Sequence, residues 1–329
     1  MKLRTYLTAM LVALSASSAA SAQDQTVTLY TSNPEQAIQT YSDVLQKTNP
    51  NSKLNSVTGG SAVLLRRIEA ESSKPQASIF WSSSYNTVRG YERFFEPYDS
   101  AAISAIPEKL RYPGNLFVPA NVHVVVLMVN TSQLGGLPVP KTWTELLDPK
   151  WKGKLIVADP ANSSTGYTIL WGVYKKMGED GLKKLAANVV VSSSSEAVQS
   201  GVSMGEYPVG LTFESSAYPY VYGGQKEIKL IYPQDGTFIT ADYAGLIKNA
   251  PDQAASKAAF DTLLSKDAQI AFLKKAFRRP SRDDIQVAKY VDLPEMASIK
   301  VFATDEKEAA DQRDAFLKRW QSYVAAAGN

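Results

Sequence analysis

Apolar and polar positions alternate along the chain in blocks. Six times a short apolar run gives way to a small polar turn, and in most of these the turn opens an apolar stripe at helical spacing. "TVTLY" runs into Thr31-Ser32-Asn33-Pro34-Glu35, and "LNSV" into Thr58-Gly59-Gly60-Ser61 and then "AVLLRRIEAE". "ASIFW" meets Ser82-Ser83-Ser84 before a helix expected over 86–94, and "KLIVAD" meets "PANSSTG" before a helix that Gly178 should stop. "NVVV" leads to Ser192-Ser193-Ser194-Ser195, and "PVGLTF" to Glu214-Ser215-Ser216, where Pro219 weighs against a regular helix.

Strands alternating with helices predict an α/β architecture whose mainly parallel sheets are covered by helices. In such sheets ligands bind beyond the carboxyl ends of the strands, where all six turns belong. Two longer apolar runs, 121–130 and 227–239, read as crossover strands. They divide the chain into a discontinuous first lobe, 23–122 with 238–329, and a second lobe, 123–237, which can close like a hinge. The terminal "DEKEAADQRDAFLKRWQSY" reads as an amphipathic helix that packs Phe316, Leu317 and Trp320 on the first lobe.

Residues 1–22 form an expected signal peptide: Lys2 and Arg4, an apolar core, then Ala20-Ser21-Ala22. The apolar core is shorter than the roughly 20 residues a membrane span needs. Removing it leaves 33 basic and 32 acidic residues, a balance that argues against a nucleic-acid partner. The chain has 329 residues and no cysteine, so it holds neither disulfides nor thiolate metal sites, and an exported protein of this kind fits the periplasm. His123 is the sole histidine. It sits in an alternating strand and reads as a packed or hinge residue before a ligand; a zinc site or a Ser-His-Asp hydrolase would have to be built on it alone. No metal, cofactor or enzymatic activity is expected.

The candidate ligand-binding residues lie in the turns: Ser32, Asn33, Gly60, Ser61, Ser82, Ser83, Ser163, Ser164, Thr165, Ser193 and Ser194. Helix capping accounts for such residues one at a time, with Ser32–Glu35 and Ser193–Glu196 spaced as capping boxes. Runs of three and four serines exceed what one cap needs. Hydroxyls together with free helix-start N–H groups suit an anion such as a phosphoryl group. Gly60, with Gly59, either permits a tight turn or lets the backbone approach that anion. Glu214 either holds hydroxyls or an amine of the ligand or is an ordinary first-turn acid. Arg278, Arg279 and Arg282 form a phosphate clamp, a permease contact or a solvated loop. Trp81, Tyr85, Tyr167, Tyr218 and Tyr220 either stack on a sugar ring or belong to the core.

From Thr142-Trp143 through Leu146, Asp148-Pro149 and Trp151-Lys152-Gly153 to the strand and polar loop that follow, the chain resembles the extracellular solute-binding proteins of ABC importers. The branch is that of ferric-iron, polyamine and organophosphate binders, and "LYTSNPE", "GSAVLLRRIEAE" and "AGLIKNAPDQAASKAAFDTLLS" extend the likeness over nearly the whole mature chain. The resemblance implies a two-lobed periplasmic-binding-protein fold, capture of a ligand between the lobes, and delivery to an ABC permease and ATPase; the ligand is expected to be a small anion and the chain a monomer. Ferric binders of the branch typically carry two adjacent tyrosines after the strand written here "VGLTF"; this chain has Glu214-Ser215-Ser216, with Tyr218 displaced and no Tyr-Tyr pair. The Gly-Gly-Ser turn, the serine runs and "NSSTG" look more like sugar-phosphate and phosphonate binders. A ferric-ion binder using Tyr218 and Tyr220 is the alternative.

Overall fold

The computed structural model describes residues 25–82 and 84–328. The leader at 1–22 and Ser83 lie outside the described residues. The strands are β1 (Gln25–Thr31), β2 (Ser52–Thr58), β3 (Ile79–Trp81), β4 (Phe95–Glu96), β5 (Val118–Asn130), β6 (Leu155–Ala158), β7 (Val189–Ser192), β8 (Val209–Phe213), β9 (Ile228–Ile231), β10 (Ile239–Ile247) and β11 (Arg279–Pro280). The helices are α1 (Glu35–Thr48), α2 (Ser61–Ala70), α3 (Tyr85–Val88), α4 (Ser164–Asn188), α5 (Ser195–Ser203), α6 (Glu214–Tyr222), α7 (Gln253–Leu264), α8 (Lys266–Ala276), α9 (Glu306–Asp311) and α10 (Arg313–Ala327).

The strand order β2-β1-β3-β10-β5-β8-β6-β7 builds a two-lobed α/β fold. In the first lobe β2, β1 and β3 run parallel, and in the second β7, β6 and β8 do. β5 joins them: Val118–Val124 pair with β10 and Val125–Val129 with β8, antiparallel in both cases. All thirteen of its residues are buried, as expected of a strand covered on both faces. The second expected crossover is not one strand. Pro233 cannot donate to a ladder and Gly236 turns the chain at φ 109°, so the run at 227–239 splits into β9 and the start of β10, both paired to β5.

Aromatic residues fill the core on each side. Trp81 is fully buried, with Tyr41 and Phe272 at ring distances of 6.2 and 4.9 Å, and its indole N–H reaches Asn121 Oδ1. Trp143, Trp151 and Phe238 pack beneath α4; a Cβ on Gly172 would fall 2.4 Å from the Phe238 ring, so only glycine admits that contact. Gly178, at φ 70° and ψ −170°, breaks α4 where the sequence places a stop, and the chain resumes its helix to Asn188.

The C-terminal helix requires a correction. Phe316 and Trp320 are buried against α4 in the second lobe's core, with Leu317 beside them, and Tyr167 donates to the Ala309 carbonyl. Amphipathic spacing shows that a helix has a buried face; it does not show which lobe supplies the other side.

Candidate functional site

A cavity of about 710 Å³ opens between the lobes, lined by Ser32, Asn33, Gly60 and Ser61 on one side and by Ser163, Ser164, Thr165, Ser193, Ser194 and Ser195 on the other. It lies within the 300–1,000 Å³ usual for small-ligand pockets. Five helices begin at its walls: α1, α2, α4, α5 and α6. Each leaves N–H groups of its first turn without a helical partner and presents the positive end of its dipole.

The serines divide into caps and wall residues. Ser163 Oγ accepts from Gly166 N–H at 3.1 Å, capping α4, and lies 2.7 Å from Ser195 Oγ, so one hydroxyl ties two helix starts together. A Cβ on Gly166 would sit 2.1 Å from the Ala158 carbonyl oxygen; its absence lets α4 start hard against β6. Ser163→Ala should cost about 1 kcal/mol of stability as a lost cap, measurable by urea denaturation, and should weaken ligand binding by loosening both helix starts. The capping boxes expected from spacing do not form. Pro34 and Gly60 stand at the caps of α1 and α2 without a side-chain bond, and α5 is capped by Ser194 through Ala197 N–H rather than by Ser193. Ser32 and Ser61 are thereby left to the cavity. Ser82 is fully buried and sits behind them, its Oγ bonded to Ser32 Oγ and 2.6 Å from Ser61 Oγ. It holds the wall rather than forming it.

The floor is charged. α8 ends at Phe277 in the left-handed region, φ 53°, a strained turn for a bulky residue. The turn sends Arg278 into the cavity and Arg279 into the core. Arg278 Nη1 lies 3.3 Å from both ring nitrogens of His123 and 3.5 Å from Ser215 Oγ, while its Nε makes no hydrogen bond. Burial lowers the Arg278 pKa, against the opposing charge of Asp242. Burial, then the Arg278 charge, holds His123 well below its ordinary value, so the imidazole is neutral at pH 7 and stacks on Phe213 at 4.5 Å. The floor therefore presents a desolvated cation beside a neutral ring. Asp242 also lines the cavity, with Asn33 Nδ2 3.3 Å from its Oδ2.

Four expectations change. Glu214 does not face the cavity: it is 1% exposed, takes a bidentate pair from Arg279 at 2.7 and 2.7 Å, and accepts from the Tyr232 hydroxyl. Tyr218 packs on Phe277 at 4.9 Å in a buried apolar cluster, and Tyr220 lines the cavity instead. Trp81 and Tyr167 are core residues. The arginine loop divides three ways, with Arg282 paired to Asp284 at 2.9 Å. Sequence reasoning passed over Gln199, Thr240 and Asp242 as site residues and set His123 aside as packing. A polar residue within an otherwise apolar strand was the available signal for His123.

Two sheets joined by a shared strand, with helix starts converging on an interlobe cavity, define the two-lobed periplasmic-binding-protein fold. Residues 85–308 match the family model of the bacterial extracellular solute-binding proteins, and the chain belongs to that family. A putative 2-aminoethylphosphonate-binding periplasmic protein of Salmonella paratyphi A is 25% identical over 252 residues, 70% of this chain and 69% of that one. An Fe(3+)-binding periplasmic protein of Serratia marcescens is 23% identical over 264 residues, 76% of this chain and 77% of that one. Among solved structures, the periplasmic binding protein AfuA of Actinobacillus pleuropneumoniae, with exogenous fructose-6-phosphate bound, superposes with a TM-score of 0.83 at 24% identity, over 92% of this chain and 99% of that one.

Proposed function

We propose that the chain is the periplasmic receptor of an ABC importer for a small phosphorylated or phosphonate metabolite, which it passes to a membrane permease and ATPase. The observation that carries this reading is the convergence of serine-lined helix starts on a desolvated Arg278 beside a neutral His123. Hydroxyls and N–H groups satisfy several acceptor oxygens, and the guanidinium supplies the counter-charge. The packing of Tyr218 into the core supports the anion over the ferric alternative, which counted on that phenol. The lobes would be 23–122 with 238 to about 305, and 123–237 carrying the terminal helix, hinging near Val124–Val125 and at 236–239. Ligand contacts from both walls coexist only when the lobes are shut, so binding shifts the population toward closure. No covalent step is required of any residue.

A thermal-shift panel of fructose 6-phosphate, glycerol phosphate, 2-aminoethylphosphonate, spermidine and ferric ion tests the reading. Stabilisation by one or more phosphoryl or phosphonate compounds is expected, with a colourless protein. Stabilisation by ferric ion or spermidine alone overturns it.

A further inference from the structure

Besides β5 and the 236–239 segment, the chain passes between the lobes at 300–302, on its way to α9 and α10. Thr237 N–H donates to the Lys300 carbonyl at 2.8 Å, Phe302 N–H donates to the Thr237 carbonyl at 2.7 Å, and the Thr237 hydroxyl donates to the Val125 carbonyl of β5. Three segments are thus hydrogen-bonded at the place where a hinge would turn. Beyond it, α9 and α10 touch both lobes. Asp311 of α9 pairs with Arg89 of the first lobe at 3.2 Å, and Glu308 pairs with Lys175 of α4 at 2.8 Å. Each of these four side chains is about a third exposed or more, and such pairs contribute little. Arg313, the first residue of α10, is held more firmly. Its guanidinium lies over the Tyr167 ring, 4.5 Å from the centroid, and Nη2 donates to the Pro160 carbonyl at 3.4 Å, both in the second lobe. Nη1 donates to Asn86 Oδ1 in the first lobe at 3.1 Å. Tyr167 is fully buried and its hydroxyl donates to the Ala309 carbonyl, which fixes the base of this arm on α4.

Both ends of the Arg313 bridge lie next to ligand space, although Arg313 itself does not line the cavity. Pro160 stands three residues before Ser163, which caps α4 and forms part of the second wall. Asn86 is buried on α3, and its Nδ2 donates at 2.9 Å to Oγ of Ser84, the residue before α3 and a lining residue of the cavity. A guanidinium carries donors only. Arg313 therefore keeps the oxygen end of Asn86 toward itself and turns the amide nitrogen to Ser84. Rotation of one lobe against the other would change the separation of Asn86 from Pro160, whereas the two nitrogens that reach them sit at a fixed spacing on one planar fork. The bridge is satisfied over a narrow range of lobe angles, and in this structure that range is one at which the serines of both lobes line a single cavity.

Resting on the lobe closure described above, we propose that Arg313 is a positioning residue of the cleft: by bridging Asn86 and Pro160 it favours the lobe angle at which both walls face one ligand, and it raises affinity without touching that ligand. A receptor whose binding-competent arrangement is populated only in part binds more weakly by that fraction. Loss of the bridge lowers the population and leaves every ligand contact in place.

The test joins lobe distance to affinity. Spin labels on Val63→Cys in the first lobe and Met204→Cys in the second occupy positions 56% and 70% exposed, in a chain with no cysteine of its own. Their distance distribution is measured without ligand and with 2-aminoethylphosphonate or fructose 6-phosphate, beside calorimetric titration well below the melting range. The variants are Arg313→Ala, Asn86→Leu and the two combined. Asn86→Leu keeps the Arg313 contacts with Pro160 and Tyr167, so it removes the reach across the lobes without loosening α10. Each single variant should shift the ligand-free distances from those of wild type and weaken binding about 5- to 10-fold, the lower range of typical coupling. The combined variant should bind no more weakly than the weaker single, because both remove one bridge. Ligand-free distances that stay at the wild-type values, or wild-type affinity in both singles, overturns the role of Arg313 alone. Wild-type distances that do not move when a compound binds overturn the closure reading and this inference with it. Absence of binding by wild type overturns the anion reading, and the ligand-free distances then decide the role of Arg313.

Discussion

Replacing Arg278 by Gln is expected to weaken binding of the phosphorylated or phosphonate ligand by at least about 30-fold, since removing one partner of a buried charge pair costs 2–5 kcal/mol. Isothermal titration of the ligand found by thermal shift would measure it. Arg278→Lys should recover part of the loss, because an ammonium keeps the charge but not the planar fork. The ligand-free protein should respond in the opposite direction. Burial lowers the Arg278 pKa against the charge of Asp242, and Nε makes no bond, so the neutral variant should be as stable as wild type or more so. Such a trade of stability for function is common at binding sites. A variant that binds as tightly as wild type would move the anion away from the floor.

Arg278 also shows where the sequence was legible and where it was not. The strand–turn–helix rhythm placed the polar turns at one edge because period and turn chemistry are local properties, and the cavity is lined by those turns. Which of three neighbouring arginines enters the cleft depends on a single left-handed residue, Phe277, and nothing in "FRRPSRDD" marks it, since positive φ usually falls to Gly or Asn. The fate of Glu214 was hidden for a related reason. Its partner lies 65 residues away, and only the pairing of β11 with β5 brings Arg279 to it. Ser32 and Ser193 have the spacing of capping boxes yet cap nothing, because spacing alone cannot tell that Pro34 and Ser194 take those places. The terminal helix crossed to the other lobe because its apolar face fits α4, a match of shape that periodicity does not encode.

Arg279→Met is expected to unfold the protein at a markedly lower temperature while leaving ligand affinity almost unchanged. The pair with Glu214 is 2% and 1% exposed at its side chains, and removing the guanidinium would leave a buried carboxylate with the Tyr232 hydroxyl as its remaining bond. Breaking such a pair costs about 3–5 kcal/mol, whereas exchanging both partners for apolar residues is often close to neutral. A domain of 150–250 residues loses roughly 2–4 °C per kcal/mol and a longer chain less, so the single variant should melt several degrees lower. Glu214→Leu with Arg279→Met should regain most of that, unless the orphaned Tyr232 hydroxyl limits the recovery. Calorimetric melting of the two singles and the double gives the coupling between the partners. Ligand titration well below the melting range separates the two roles Glu214 could have had. An acid that held the ligand would lose affinity in every variant lacking it, while a scaffold pair behind the cleft loses stability and leaves the affinity set by Arg278 and the serine walls.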